Sequence, residues 1–114
     1  MNRLFGTLLV AAAVFGSTLP ASAAAGSPST PSDQTVPIAH WRFHPKVLTI
    51  SVGETVTWVN EQKGHHTSIS DTKLWNSGAI PPGGTFSFTF TTPGTYPYHC
   101  KYGHGIHGTI VVNP

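Results

Sequence analysis

Apolar and polar residues alternate with a period of two along much of the chain beyond residue 35, which is the pattern of half-buried β-strands. Val56 and Trp58 share one face of the segment 55–60, and two threonines lie on the other face. The segment 85–90 alternates hydroxyl and phenylalanine side chains in the same way. Further strands are predicted over residues 38–43, 47–52, 66–70, 95–100 and 109–112.

Clusters of proline and glycine separate these segments and predict turns. The strongest is Pro81-Pro82-Gly83-Gly84, and Pro93-Gly94 is another. The chain has no internal repeat and no convincing amphipathic helix. Seven or eight short strands with regular turns therefore predict an all-β domain, either an antiparallel sandwich or a barrel.

The first residues have the layout of a secretory signal peptide. Arg3 supplies a positive charge, residues 4–19 form an apolar run, and Ala21-Ser22-Ala23 is a small-residue cleavage site. The apolar run is too short for a good transmembrane helix. We therefore expect a periplasmic or secreted protein without stable membrane insertion. The predicted organisation is a signal peptide over 1–23, a flexible Ala/Ser/Pro-rich lead-in over 24–35 and one folded domain over 36–114.

Charged residues are few and nearly balanced, with six Lys and Arg against four Asp and Glu. This balance lacks the basic footprint of a nucleic-acid-binding protein. The sequence also contains nothing that resembles a hydrolase triad or a phosphate-binding loop. We therefore expect a monomer that is not an enzyme and does not bind nucleic acid.

The single cysteine, Cys100, is unusual for an exported protein, because cysteines in an oxidising compartment usually pair. It is left to form an intermolecular disulfide, to act as a reactive thiol, or to bind a metal. His104 and His107 follow it between two predicted strands, so a loop there can fold all three side chains around one ion. A further ligand is expected from Gly64–Thr67, which contains two of the seven histidines. Thiolate and imidazole together favour copper or zinc.

A series of short motifs runs in a fixed order from Val36 to Val112. The motifs are Phe43-His44-Pro45, Leu48–Asn60, His66-Thr67, Ser77-Gly78, Gly84–Phe90, Pro93–Cys100 and Gly108–Val112. Each motif alone is weak, but with their order and spacing the chain resembles the cupredoxins of the plastocyanin, amicyanin and pseudoazurin group. The resemblance implies an all-β, Greek-key antiparallel β-sandwich that holds one mononuclear copper ion. It also implies a one-electron carrier that serves redox partner proteins.

In that family two histidines and one cysteine bind copper in a plane, with a weak axial methionine. The resemblance assigns the first histidine to His66, which is followed by Thr67, and the cysteine to Cys100. Because neighbouring residues of a strand point to opposite faces, His99 is expected to face away from Cys100.

The loop after Cys100 departs from the family pattern. Relatives with short loops place the second histidine three residues after the cysteine and the methionine three residues later, where this chain has Gly103 and Ile106. A shift of one residue makes His104 the second equatorial ligand and places His107 at the methionine position. The only methionine of the chain is Met1, in the predicted signal peptide. A bound His107 would lower the potential, whereas a His107 that points away would leave a three-coordinate site of higher potential.

Three other functions fit the same residues. The seven histidines are compatible with copper storage or delivery. An open, methionine-free copper site is compatible with a small-molecule sensor or an enzyme. A Cys-His set is also compatible with a colourless structural zinc site.

Overall fold

The strands that alternation predicts are present in the computed structural model, which describes residues 32–103 and 105–114. The predicted signal peptide, most of the predicted lead-in and His104 lie outside the described residues. The described residues form eight strands and contain no helix long and apolar enough to span a membrane. The strands are β1 Asp33–Ala39, β2 Arg42–Phe43, β3 Val47–Ser51, β4 Thr55–Asn60, β5 Ile69–Ser70, β6 Thr85–Thr89, β7 Gly94–His99 and β8 His107–Asn113.

These strands form two four-stranded sheets, in the orders β2-β1-β4-β6 and β3-β8-β7-β5. The predicted β-sandwich is confirmed, with one difference from a wholly antiparallel arrangement. Strand β1 pairs with β4 in parallel, and β3 pairs with β8 in parallel, so both sheets are mixed. Parallel neighbours need a crossover connection, and between β1 and β4 the chain crosses to the other sheet as β3.

The parallel pairing also explains why the first strand starts earlier than predicted. Residues from Asp33 to Ile38 pair with Thr55 to Asn60, so β1 takes in the last residues of the predicted lead-in. The predicted strand 38–43 is a hairpin, because Ala39 pairs with Arg42 across a two-residue turn. The turn residues His40 and Trp41 both have positive φ, 51° and 60°.

The core lies between the two sheets and follows the predicted alternation. Val56 and Trp58 of β4 are fully buried, and Ile110 and Val112 of β8 face them from the other sheet. Complete burial of such side chains contributes about 1.5–3 kcal/mol each. An aromatic cluster joins Trp58 to its neighbours Trp75, Phe86 and Tyr98. This packed layer supports the strand ends from which the candidate site is built.

Gly108 of β8 is paired with Tyr98 of β7 and packs against its buried ring. A Cβ atom there would overlap the ring and lie 2.5 Å from its hydroxyl oxygen. Gly108→Ala is therefore expected to lower the free energy of unfolding by about 1–3 kcal/mol, the usual cost of overpacking. Urea denaturation of the metal-free protein measures the change. Gly64→Ala is the control, because nothing lies within 4 Å of a Cβ there; equal losses in both variants would contradict the steric explanation.

Candidate metal centre

His66 lies at the end of the loop that follows β4 and is held by backbone hydrogen bonds. Its N–H donates to the carbonyl of Ile80 at 3.2 Å, and the N–H of Ile80 donates to the carbonyl of His66 at 2.7 Å. The side chain of His66 is fully buried. This burial lowers the pKa of His66 below its ordinary value. The imidazole is therefore kept in the neutral form, which is the form that binds metals.

Asn60, a fully buried residue at the end of β4, fixes the conformation of this loop. Its Nδ2 donates to the carbonyl oxygens of Gly64 at 2.7 Å and Ile80 at 2.9 Å. Its Oδ1 accepts a hydrogen bond from the N–H of Gln62 at 2.9 Å. The loop that carries His66 is thus tied to the sandwich through one side chain.

Cys100 follows β7, and its sulfur is buried beside His66. The Sγ atom lies 3.4 Å from Nδ1 of His66. The N–H groups of Thr67 and Tyr102 donate to the same sulfur at 3.3 and 3.4 Å. Two backbone N–H groups therefore point at the sulfur, which is the atom that would bind a metal.

Two further hydrogen bonds join the segments that carry the histidine and the cysteine. The N–H of Lys101 donates to Oγ1 of Thr67 at 2.9 Å. The N–H of Cys100 donates to the carbonyl of Ile106 at 3.0 Å, which closes the loop after the cysteine. His66 and Cys100 are therefore positioned by the protein itself.

The arrangement of these two donors fits a bound metal ion. Nitrogen and sulfur ligands that bind one ion at about 2.0 and 2.3 Å stand about 3.5–3.7 Å apart at trigonal or tetrahedral angles. The distance of 3.4 Å between Nδ1 and Sγ is close to that value. Nε2 of His66 is buried and has no hydrogen-bond partner within residues 32–103 and 105–114.

Trp41 covers this pair from the solvent side. Its indole packs edge-to-face on the ring of His66, with centroids 5.3 Å apart and planes at 70°. Its backbone N–H donates to Oε1 of Gln62 at 2.7 Å, yet its side chain is 63% exposed. Neither Trp41 nor Asn60 was predicted to be a site residue. The available signal for Trp41 was a bulky aromatic residue in a segment too polar for a buried strand.

Of the two remaining predicted ligands, one lies outside the described residues and the other is not brought to this pair. His104 lies outside the described residues, so its ligation stays a prediction. His107 is exposed at the start of β8. It lies directly opposite His99 of β7 in the strand register, and the two ring centroids are 6.3 Å apart. Ile106, by contrast, is buried and bonded through its backbone to Cys100. Among residues 32–103 and 105–114, no three His, Cys, Asp or Glu side chains are grouped closely enough to hold a metal.

Comparisons with known proteins agree with this architecture. The profile of the cupredoxin-like domain matches residues 7–112. The chain is 38% identical to a plastocyanin of Prochlorothrix hollandica, over 94% of this chain and 82% of the relative. It is 32% identical to an amicyanin of Paracoccus denitrificans, over 68% of this chain and 63% of the relative.

Solved structures show the same likeness. The oxidised form of an amicyanin variant matches with a TM-score of 0.67 and 29% identity, over 71% of this chain and 82% of the other. A purple cupredoxin from Nitrosopumilus maritimus matches with a TM-score of 0.66 and 28% identity, over 71% of this chain and all of the other.

Proposed function

The chain belongs to the cupredoxin family, as its motifs predicted, and from this premise we propose that it is an exported one-electron carrier with one copper ion. Proteins of this family bind one copper ion, and the plastocyanin and amicyanin relatives are electron carriers. The observation that carries the proposal is the buried pair formed by His66 and Cys100, with 3.4 Å between Nδ1 and Sγ.

We assign the ligands as His66, Cys100 and His104. Copper bound there would supply a one-electron couple between Cu(II) and Cu(I). His66 contributes a neutral imidazole whose backbone is fixed on Ile80, and Cys100 contributes a thiolate that accepts two N–H hydrogen bonds. Both side chains are buried, and hydrogen bonds join the segments that carry them, so little rearrangement of the protein is needed when the charge of the site changes.

We leave His107 out of this ligand set. Opposed residues of an antiparallel pair lie on the same face of the sheet, so His107 shares a face with His99. Cys100, the next residue after His99, points inward. The buried Ile106 is six residues after Cys100, which is the spacing at which relatives with short loops have methionine. A copper site without a thioether or a third imidazole is expected to have a higher reduction potential than a site to which His107 also binds.

The surface above the site offers a place for redox partners. The exposed indole of Trp41 lies over His66, and Tyr102, which is 46% exposed, follows Cys100 by two residues. Exposed aromatic residues are enriched where proteins dock on one another. We propose that a partner protein approaches here, next to the ligands.

The ligand assignment is tested by adding Cu(II) to the mature domain and recording visible and EPR spectra. Wild type is expected to show an intense thiolate-to-copper band, and His104→Ala to change or lose it. His107→Ala is the matched control and is expected to leave the band unchanged. A changed band in His107→Ala would restore it as an axial ligand. Absence of the band in wild type, or copper that exchanges no electrons with a small redox mediator, would contradict the carrier function and favour zinc binding or copper storage.

A further inference from the structure

We propose that His99 and His107 form a second metal site, for one divalent cation such as Zn(II), on the outer face of the β3-β8-β7-β5 sheet. Both histidines are left free by the proposed copper centre. The site lies on the opposite face of the sheet from Cys100.

The two imidazoles are placed next to each other by strand register. His99 ends β7, His107 begins β8, and the two residues are directly opposed. Their ring centroids are 6.3 Å apart, with planes at 48°. Rings that bind one ion through nitrogen at about 2.0–2.1 Å have centroids about 5–6 Å apart. The observed separation of 6.3 Å lies just above that range, and the side chain of His107 is exposed.

Asp71 prepares His99 for this role. Its Oδ1 lies 2.6 Å from Nδ1 of His99, and its own backbone N–H donates to the carbonyl of Pro97 at 3.0 Å, so the carboxylate is held beside β7. In a neutral imidazole, a carboxylate at Nδ1 favours the tautomer with the proton on that nitrogen, which leaves the Nε2 lone pair for a metal. Metal-binding histidines are commonly oriented by such a carboxylate. The negative charge of Asp71 also offsets part of the charge of a divalent cation.

The pair of Asp71 and His99 alone would be an ordinary surface ion pair, since both side chains are more than a third exposed. Such pairs contribute about 0–1 kcal/mol and need no third residue. The metal site differs because it requires His107 as well as His99. Replacement of His107 therefore distinguishes a metal site from a simple ion pair between Asp71 and His99.

The test is a Zn(II) titration of the protein already loaded with one copper ion, followed by calorimetry and by metal analysis after dialysis. Copper at the first site resists exchange, because copper binds such donors more tightly than zinc. Wild type is expected to bind one Zn(II) per chain. His99→Ala and His107→Ala should each weaken this binding at least about tenfold, and Asp71→Asn about tenfold.

His65→Ala removes another exposed histidine and is the control, with unchanged Zn(II) affinity expected. The same titration in a Cys100→Ser background, which lacks the thiolate of the first site, should again show one Zn(II) that depends on His107. The result of the titration in the Cys100→Ser background does not depend on whether the copper centre functions as proposed. Failure of wild type to bind Zn(II), or an equal loss in His65→Ala and His107→Ala, would overturn the second site.

Discussion

Cys100→Ser is expected to abolish the thiolate-to-copper band and electron exchange while the fold is retained. The sulfur of Cys100 faces Nδ1 of His66 and accepts N–H hydrogen bonds from Thr67 and Tyr102. A serine hydroxyl can accept the same hydrogen bonds but stays protonated and binds copper weakly. Visible spectra of the copper-treated variant, and the rate of electron exchange with a redox mediator, measure both effects.

The folded state of this variant has to be established separately. Cys100 is buried in the core cluster, but serine is smaller and can use the two N–H donors, so we expect only a modest change in stability. Urea denaturation of the metal-free wild type and variant measures that change. An intense charge-transfer band in a folded Cys100→Ser protein would show that the sulfur is not the ligand.

Asn60→Leu is expected to have the second large effect, on both stability and copper affinity. Asn60 makes three hydrogen bonds within the buried base of the loop that carries His66. A leucine removes the donor to the carbonyl of Gly64 and the acceptor for the N–H of Gln62, while the carbonyl of Ile80 keeps only the N–H of His66. An unsatisfied buried group costs about 1–3 kcal/mol. We therefore expect the free energy of unfolding to fall by about 2–4 kcal/mol and copper to bind more weakly because His66 is less well fixed.

Asn76→Leu is the matched control for this variant. Asn76 is exposed, and its Oδ1 accepts a single hydrogen bond, from the N–H of Gly78 at 2.9 Å. Its replacement should cost about 1 kcal/mol or less. Unfolding of the metal-free proteins in urea, and copper competition with a chelator, distinguish the two positions. Similar losses for both asparagines would show that Asn60 does not anchor the loop.

Much of the fold follows from alternation that can be read along the chain. Strands β4 and β6 were predicted because their faces differ in polarity, and Cys100 stood out because it is the only cysteine. The parallel pairs were not predictable, because alternation within a strand says nothing about the direction of its neighbour. The contact between Trp41 and His66 was also out of reach, since it depends on the way a hairpin turn folds over a loop about two dozen residues later.

The role of His107 shows what spacing along the sequence leaves open. Its spacing from His104 placed it at the methionine position of the family, but spacing within a loop does not fix the direction of a side chain. Counting back in steps of two from the buried Val112 and Ile110 gives Gly108 and Ile106, which are both buried. The period of β8 therefore predicts an outward His107.

The turn formed by His40 and Trp41 lowers the stability of the fold but keeps the side chain of Trp41 accessible at the candidate site. Two-residue hairpin turns of this kind favour Asn-Gly, because both central residues need positive φ. Non-glycine residues in that conformation cost on the order of 1–3 kcal/mol each. The strained turn therefore lowers the stability of the fold at the edge of the site. It also places the indole of Trp41 there, where it covers the imidazole of His66 and is exposed to solvent. A hairpin optimised for stability alone would leave that imidazole uncovered.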